Sequence, residues 1–197
     1  YGRHGSETTM ALEQALCALE DAADCLLTPS GLSAISTTLL ALLQPGDDLL
    51  MSDACYEPTR ALCDGLLARL GIQTRYYDPL IGAGISELLQ ANTRVVFVEA
   101  AGSLTFEMHD VPALAAAAHA QGALLVADST WATPLGWDAF ALGVDVSLHA
   151  ATKYIVGHSD VLLGAILCTA AVQPRLRQTY AALGLSVGGD DAYLALR

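Results

Sequence analysis

Lys153 is the only lysine in this 197-residue chain, and its position suggests chemistry. It follows a short apolar stretch at residues 144–148, and a glycine turn and a second apolar run at residues 161–168 come after it. Ligands of open α/β sheets collect outside the carboxyl ends of the strands. An amine placed there can act as a nucleophile and form a Schiff base with an aldehyde. The alternative is a solvated surface lysine, since lysine side chains are mostly exposed.

Other polar groups follow further predicted strands. The strand at residues 24–28 leads into Ser30-Gly31-Leu32, and the strand at residues 49–52 is followed by Tyr56. A small-residue turn that opens a helix presents free backbone N–H groups, which favour a phosphate. Tyr56 at the same edge could stack on a planar ligand or exchange protons. An ordinary strand-to-helix connection and a tyrosine that packs with its hydroxyl in water are the alternatives.

Two acidic residues close the next two buried strands. Glu99 ends the apolar run at residues 94–98, and Asp128 ends the run at residues 123–127. A carboxylate at the end of a buried strand must be hydrogen-bonded or paired with a cation, because leaving it alone costs several kcal/mol. The alternative for Asp128 is a loop or helix-capping acid.

The secondary-structure pattern alternates strands with helices. Thr8 or Thr9 is predicted to cap the first helix. Further helices are predicted at residues 31–43, 59–70, 85–90, 113–120 and 172–183, and a last one after residues 186–191. We therefore expect an α/β fold with three α/β/α layers around an open, mostly parallel sheet. Strand signals after Gly143 lack an intervening helix, so part of the sheet is expected to be antiparallel.

Composition excludes several partners. The net charge of −12, with only 9 basic residues, argues against nucleic acid and against an anionic membrane surface. The five cysteines have no metal-ligand spacing, and we expect reduced thiols of a cytoplasmic protein without a bound metal. No apolar run is long enough to cross a bilayer. The chain starts without methionine, and we expect a fragment or the ordered part of a longer chain.

The candidate residues together suggest one cofactor. A phosphate cradle at Ser30-Gly31-Leu32, an aromatic platform at Tyr56, an acid at Asp128 and an amine at Lys153 are the parts of a pyridoxal phosphate site. In such a site the lysine binds the cofactor's aldehyde. The aspartate holds a proton on the pyridine nitrogen, so that the ring can accept electrons.

Several motifs also resemble the cystathionine synthase and lyase group of pyridoxal-phosphate enzymes (Cys/Met metabolism, fold type I), along nearly the whole chain. The motifs are Tyr1-Gly-Arg3-His-Gly-Ser, Leu12-Glu13, Ser30-Gly31-Leu-Ser-Ala-Ile35, Tyr56-Glu-Pro, Asp128-Ser-Thr-Trp131 and Ala151-Thr152-Lys153-Tyr-Ile-Val-Gly157-His-Ser-Asp160.

The resemblance implies a role for each matching residue. Lys153 would hold the cofactor covalently, Asp128 would pair with the ring nitrogen and Tyr56 would stack on the ring. The phosphate would be bound by the N–H groups of Gly31 and Leu32 and by the Thr152 hydroxyl. Tyr1 and Arg3 would reach the phosphate of a neighbouring subunit, so the resemblance also implies a homo-oligomer, a dimer of dimers. Residues 1–185 would form the cofactor-binding large domain, and residues 186–197 would lead to a C-terminal domain absent from this chain.

Three stretches resemble the β-lyase branch of this family: residues 55–58, residues 102–110 and Trp131. The implied reaction is β-elimination of L-cystathionine, a small amino-acid substrate. Two departures stand out: Ala150 replaces a serine that binds phosphate in many relatives, and no asparagine follows Glu99 as it does in the γ-enzymes. A γ-synthase or γ-lyase reaction, or a non-catalytic binding or scaffold protein with the same fold, are the alternatives.

Overall fold

A computed structural model describes residues 2–197, and its elements alternate as the sequence predicts. The helices are α1 (Glu7–Glu20), α2 (Gly31–Leu42), α3 (Glu57–Leu62), α4 (Val111–Ala120), α5 (Thr133–Gly136), α6 (Gln173–Leu183) and α7 (Gly189–Ala195). The strands are β1 (Asp24–Thr28), β2 (Asp48–Ser52), β3 (Gln73–Tyr77), β4 (Thr93–Glu99), β5 (Leu124–Asp128), β6 (Val146–His149) and β7 (Gly164–Cys168).

The seven strands form one sheet in the order β1-β7-β6-β5-β4-β2-β3. Neighbouring pairs from β3 to β6 are parallel, and β7 is antiparallel to both β1 and β6. The expected antiparallel part is therefore β7. Because β1 and β6 both run opposite to β7, their carboxyl ends lie at the same edge of the sheet as those of β2, β4 and β5.

Helices cover both faces of the sheet, which confirms the three-layer α/β fold. On one face, α2, α6 and the turn after α3 pack on Met51, Phe97, Val126 and Leu148. On the other face, α4 packs on one half of the sheet, and α1 and α7 pack on the other half. Burial on both faces explains why the central strands have continuous apolar sequences.

Three differences between the observed and the predicted helices stand out, beyond shifts of one or two residues elsewhere. Ser6, not Thr8 or Thr9, caps α1, because the Ser6 Oγ accepts from the Thr9 N–H while the Thr9 Oγ1 accepts from the Ser6 N–H. The helix predicted at residues 59–70 begins at Glu57 and changes to a π-helical turn over Cys63–Leu67. The predicted helix at residues 85–90 is a 3-10 helix over Gly82–Glu87.

Candidate active site

The carboxyl edge of the sheet brings together most of the predicted site residues. Tyr56 follows β2, Glu99 and Asp128 end β4 and β5, and Lys153 lies in the turns after β6. Glu99 and Asp128 are paired positions of parallel neighbours, so their side chains point to the same face of the sheet. Arg3 is exposed in a 3-10 helix at Gly2–His4, and Tyr1 lies outside the described residues.

The start of α2 forms the predicted anion cradle. The Ser30 Oγ accepts a hydrogen bond from the Ser33 N–H at 3.1 Å, while the first helical positions, Gly31 and Leu32, have no intrahelical partner for their N–H groups. A Cβ added to Gly31 would lie 2.5 Å from the Ala150 Cβ. Glycine therefore lets the cradle lie directly against the turn that carries Lys153.

Close packing also holds β7 beneath this cradle. A Cβ added to Gly164 would lie 2.2 Å from the Ser30 carbonyl oxygen and 2.4 Å from the Thr28 Oγ1. That same Thr28 hydroxyl donates to the Ser30 carbonyl at 2.9 Å. Only glycine fits at this point, and the turn after β1 is fixed on the sheet.

Asp128 is buried with one carboxylate oxygen engaged and the other available. Its Oδ1 accepts from the Thr130 N–H at 3.0 Å and from the Thr130 hydroxyl at 2.5 Å. Its Oδ2 accepts no hydrogen bond from any described residue, although only 7% of Asp128 is exposed. Burial raises the pKa of Asp128, while the hydrogen bonds from Thr130 and the charges of His149 and Lys153 lower it.

Thr130 connects Asp128 to the turn that carries Lys153. The Thr130 hydroxyl donates to Asp128, and its Oγ1 accepts a hydrogen bond from the Ala150 N–H at 2.8 Å. The Ala150 carbonyl in turn accepts a hydrogen bond from the Lys153 N–H at 2.9 Å. Our sequence reasoning did not select Thr130. The Asp128-Ser-Thr sequence contained the signal, because an aspartate often accepts from the N–H two residues further on.

Lys153 is exposed within a run of turns at residues 151–156, and the Gly157 N–H donates to its carbonyl at 2.9 Å. The adjacent Thr152 side chain is already engaged: its Oγ1 accepts from the Leu163 N–H at 2.8 Å and donates to the Leu163 carbonyl at 3.1 Å. To donate to a phosphate, the Thr152 hydroxyl would have to turn away from Leu163. The predicted role of Thr152 stays a prediction.

Tyr56 is held at the site through its backbone. Its N–H donates to the Glu99 Oε2 at 2.7 Å, and 46% of the residue is exposed at the beginning of α3. Burial and the negative charge of Asp128 raise the pKa of Glu99 to about 7, against smaller opposite effects of the hydrogen bonds from Tyr56 and Ser103. Glu99 is thus a second carboxyl group beside Asp128, and its pKa lies near neutral pH.

His149, the last residue of β6, forms a buried pair with Glu20 that the sequence did not reveal. His149 hydrogen-bonds Glu20 at the end of α1, and both residues are buried. The Ser147 Oγ lies 3.5 Å from the His149 Nε2 and 2.7 Å from the Ser129 Oγ, next to Asp128. No local sequence signal could have found this contact, since 129 positions separate the pair.

Two cavities lined by described residues lie away from this edge. A cavity of about 320 Å³ is lined by the first residues, α1 and α6, and includes Arg3, Glu13 and Tyr180. A second cavity of about 420 Å³ lies near the amino ends of β2 and β4, beside Arg94 and Arg175. In residues 2–197, no group of His, Cys, Asp and Glu is arranged to hold a metal ion, and no helix is long and apolar enough to span a membrane.

The chain belongs to the Cys/Met metabolism PLP-dependent enzyme family, whose pattern it matches over residues 1–197. It is 44% identical over 199 residues to the cystathionine beta-lyase MetC of Escherichia coli, covering 100% of this chain and 50% of that protein. It is also 44% identical over 198 residues to the cystathionine beta-lyase of Bordetella avium, with the same coverage. The chain spans about half the length of the curated relatives it matches.

A solved structure, described as metB from Corynebacterium glutamicum, has the same fold. It superimposes with a TM-score of 0.95 at 30% sequence identity, over 99% of this chain and 51% of that chain. Relatives named for other reactions also match, among them an L-alanine/L-glutamate racemase of Wolbachia pipientis and a chloroplastic cystathionine gamma-synthase of Nicotiana tabacum. Membership of the family implies pyridoxal phosphate as the cofactor.

The residues present fit this cofactor. The Asp128 Oδ2, which accepts no hydrogen bond from the described residues, can accept one from a protonated ring nitrogen, and the free N–H groups at Gly31 and Leu32 can bind the phosphate. Lys153 provides the amine, and its charge lowers the pKa of Asp128. The cradle, the acid and the amine lie along one edge of one sheet, as a cofactor of this size requires.

Proposed function

We propose that this chain is the cofactor-binding part of an enzyme that cleaves L-cystathionine by β-elimination to homocysteine, pyruvate and ammonia. The observation that carries the proposal is the linked group formed by Asp128, Thr130 and the Lys153 turn, with one oxygen of Asp128 unpaired. The cystathionine beta-lyases among the relatives support the β reaction.

The chain's own residues divide the work of binding. The Gly31 and Leu32 N–H groups, with the Thr152 hydroxyl once it has turned, bind the phosphate, and the Tyr56 ring packs on the cofactor ring. Asp128 keeps a proton on the ring nitrogen through its Oδ2. Bound in this way, pyridoxal phosphate supplies an electron sink for the electron pair that remains when the substrate loses its α-proton.

Proton transfer falls to Lys153 and Tyr56. With pyridoxal phosphate bound, the Lys153 amine would remove the α-proton of the substrate, and Tyr56 would be a candidate base for the substrate amino group. The bond between the β-carbon and sulfur would then break, and Lys153 or Tyr56 would protonate the departing homocysteine sulfur. Water would hydrolyse the remaining aminoacrylate to pyruvate and ammonia. A positioned acid or base of this kind contributes about a hundredfold to ten-thousandfold to the rate.

The products of L-cystathionine cleavage test this reaction in the full-length protein. Pyruvate is expected from β-elimination, whereas 2-oxobutyrate would show the γ reaction instead. Lys153→Ala should reduce turnover at least about a hundredfold. Lys153→Arg is the matched control for charge, since it keeps the cation but cannot form the Schiff base, and it should be as inactive as Lys153→Ala. Near-normal turnover in either variant would contradict the role of Lys153.

Cofactor attachment is a separate measurement. Added pyridoxal phosphate should produce a visible absorption band, and borohydride reduction should leave a label on the peptide that contains Lys153. If the band and the label are absent from the full-length protein, the proposal fails. A label on Lys153 without turnover would favour a non-catalytic binding protein with this fold.

We also propose the assembly that the family resemblance implies. Residues 1–185 form the large domain, residues 186–197 lead to a C-terminal domain, and the protein is a cytoplasmic dimer of dimers. Arg3 and Tyr1 of one subunit reach the phosphate of its neighbour, which agrees with the exposed position of Arg3. Mixing Arg3→Ala and Lys153→Ala proteins should restore part of the activity, because each mixed dimer then contains one intact site. No recovery after exchange of subunits would contradict the shared site.

A further inference from the structure

We propose that Glu99 is a positioning residue with two roles. Its carboxyl holds Tyr56 at the site through the Tyr56 backbone N–H. Glu99 and Asp128 also form a pair of carboxyl groups, in which Glu99 carries the proton and Asp128 keeps its negative charge. The inference rests on the proposed function, which requires an ionised Asp128 opposite the ring nitrogen. In this role Glu99 neither binds the cofactor nor removes the α-proton; it acts through Tyr56 and Asp128.

Geometry places the two carboxyl groups side by side. Glu99 and Asp128 occupy paired positions at the ends of β4 and β5, and neighbouring strands lie about 4.8 Å apart. Two carboxyl groups that share one partly buried site do not both ionise easily, and one of them retains its proton.

The surroundings decide which of the two keeps the proton. Burial raises the pKa of Asp128, but the two hydrogen bonds from Thr130 and the charges of His149 and Lys153 oppose that rise and favour its ionised form. No cation of the described residues shifts the pKa of Glu99; its carboxyl accepts the Tyr56 N–H, and this hydrogen bond and the Ser103 side chain have only a smaller lowering effect on that pKa. The proton therefore belongs on Glu99, whose pKa burial and Asp128 raise to about 7.

Other titratable groups near Glu99 do not take over this role. Burial raises the pKa of the neighbouring Cys55 thiol to about 11, so Cys55 stays neutral where Glu99 titrates. In the same loop, Asp53 is paired with Arg60 at 2.6 Å. Glu107 lies in the loop after β4, next to Gly102. The Glu107 Oε2 is buried there and has no hydrogen-bond partner among the described residues.

The Tyr56 amide reports the charge of Glu99 directly. In the full-length protein without cofactor, we expect the Tyr56 15N–1H signal to titrate with a midpoint near 7, since its N–H donates to the Glu99 carboxyl. Glu99→Gln should abolish that titration and keep an acceptor for the N–H. Asp128→Asn should lower the midpoint, because it removes the neighbouring negative charge. Glu87→Gln, an exposed control of the same type, should change nothing. A midpoint near the ordinary glutamate value of about 4.3, or a titration that survives in Glu99→Gln, overturns the proposal.

Cofactor affinity gives a second readout. An ionised Glu99 adds a second negative charge beside Asp128, at the edge where the anionic cofactor would bind, so the wild type should bind pyridoxal phosphate less tightly than Glu99→Gln at high pH. We expect the ratio of the two Kd values to be near one at pH 6 and to rise roughly threefold to tenfold by pH 8. A constant ratio overturns the role of Glu99. If the wild type binds no pyridoxal phosphate, the proposed function fails, and the Tyr56 titration still decides the role of Glu99.

Discussion

Gly31 and Ala150 lie so close that a Cβ built on Gly31 would be 2.5 Å from the Ala150 Cβ and 2.7 Å from its Cα. This contact joins the cradle at the start of α2 to the turn that carries Lys153. The anion site and the amine are therefore parts of one packed unit, and a change at either residue is expected to affect both.

Gly31→Ala should disrupt this unit. Because the Ala150 backbone cannot move away freely, we expect a loss of about 1–3 kcal/mol in the free energy of unfolding and weaker binding of pyridoxal phosphate. Urea unfolding and cofactor titration measure the two effects. Gly65→Ala is the matched control, since nothing lies within 4 Å of its added Cβ and the site is helical, so it should be neutral or slightly stabilising. Equal effects of the two variants would contradict the contact.

Thr130→Val should test the link between Asp128 and the Lys153 turn. Valine has nearly the shape of threonine but neither donates to Asp128 nor accepts from the Ala150 N–H. A hydrogen bond to a charged group contributes about 1.5–3 kcal/mol, so cofactor affinity should fall at least tenfold. Thr130→Ser keeps the hydroxyl and should stay close to the wild type. Similar Kd values for all three proteins would show that Asp128 needs no support from Thr130.

Glu99 should make stability depend on pH. Its pKa rises from 4.5 in the unfolded chain to about 7 in the fold, so the folded protein binds more protons between these values and loses stability as the pH rises. The loss reaches about 3 kcal/mol at most, and it is complete above pH 7. We therefore expect the free energy of unfolding of Glu99→Gln, relative to that of the wild type, to be higher at pH 8 than at pH 5. Urea unfolding at the two pH values measures this difference. A stability difference that does not vary between these pH values would count against the shift.

The buried pair of Glu20 and His149 should matter more than an exposed one. Glu20→Ala leaves His149 buried without its partner, and we expect a loss of about 3–5 kcal/mol in the free energy of unfolding. His119→Ala removes a comparable contact with Asp145, but 44% of the His119 side chain is exposed, and the loss should stay below about 1 kcal/mol. Thermal or urea unfolding compares the two, and a small effect of Glu20→Ala would show that water compensates for the lost partner.

Local sequence signals were sufficient for most of the sheet. The prediction for β1 has the observed bounds, and that for β2 differs by one residue, because apolar runs between turn residues are typical of strands. Helix starts were predicted less well. At Ser6 the cap depends on a reciprocal contact with Thr9, and Gly82–Glu87 forms 3-10 turns that no hydrophobic period distinguishes from an α-helix.

The chain's sequence alone thus determined the α/β class, the carboxyl-edge positions of Tyr56, Asp128 and Lys153, and the family, because strand periodicity and short motifs are local. Tertiary structure decided which groups meet: Tyr56 reaches Glu99 across 43 positions, and Thr130 reaches Ala150 across 20. These contacts depend on strand order and register, which arise from the packing of the whole sheet. For the same physical reason, only the fold could place Glu99 beside Asp128 and raise the pKa of Glu99 to about 7.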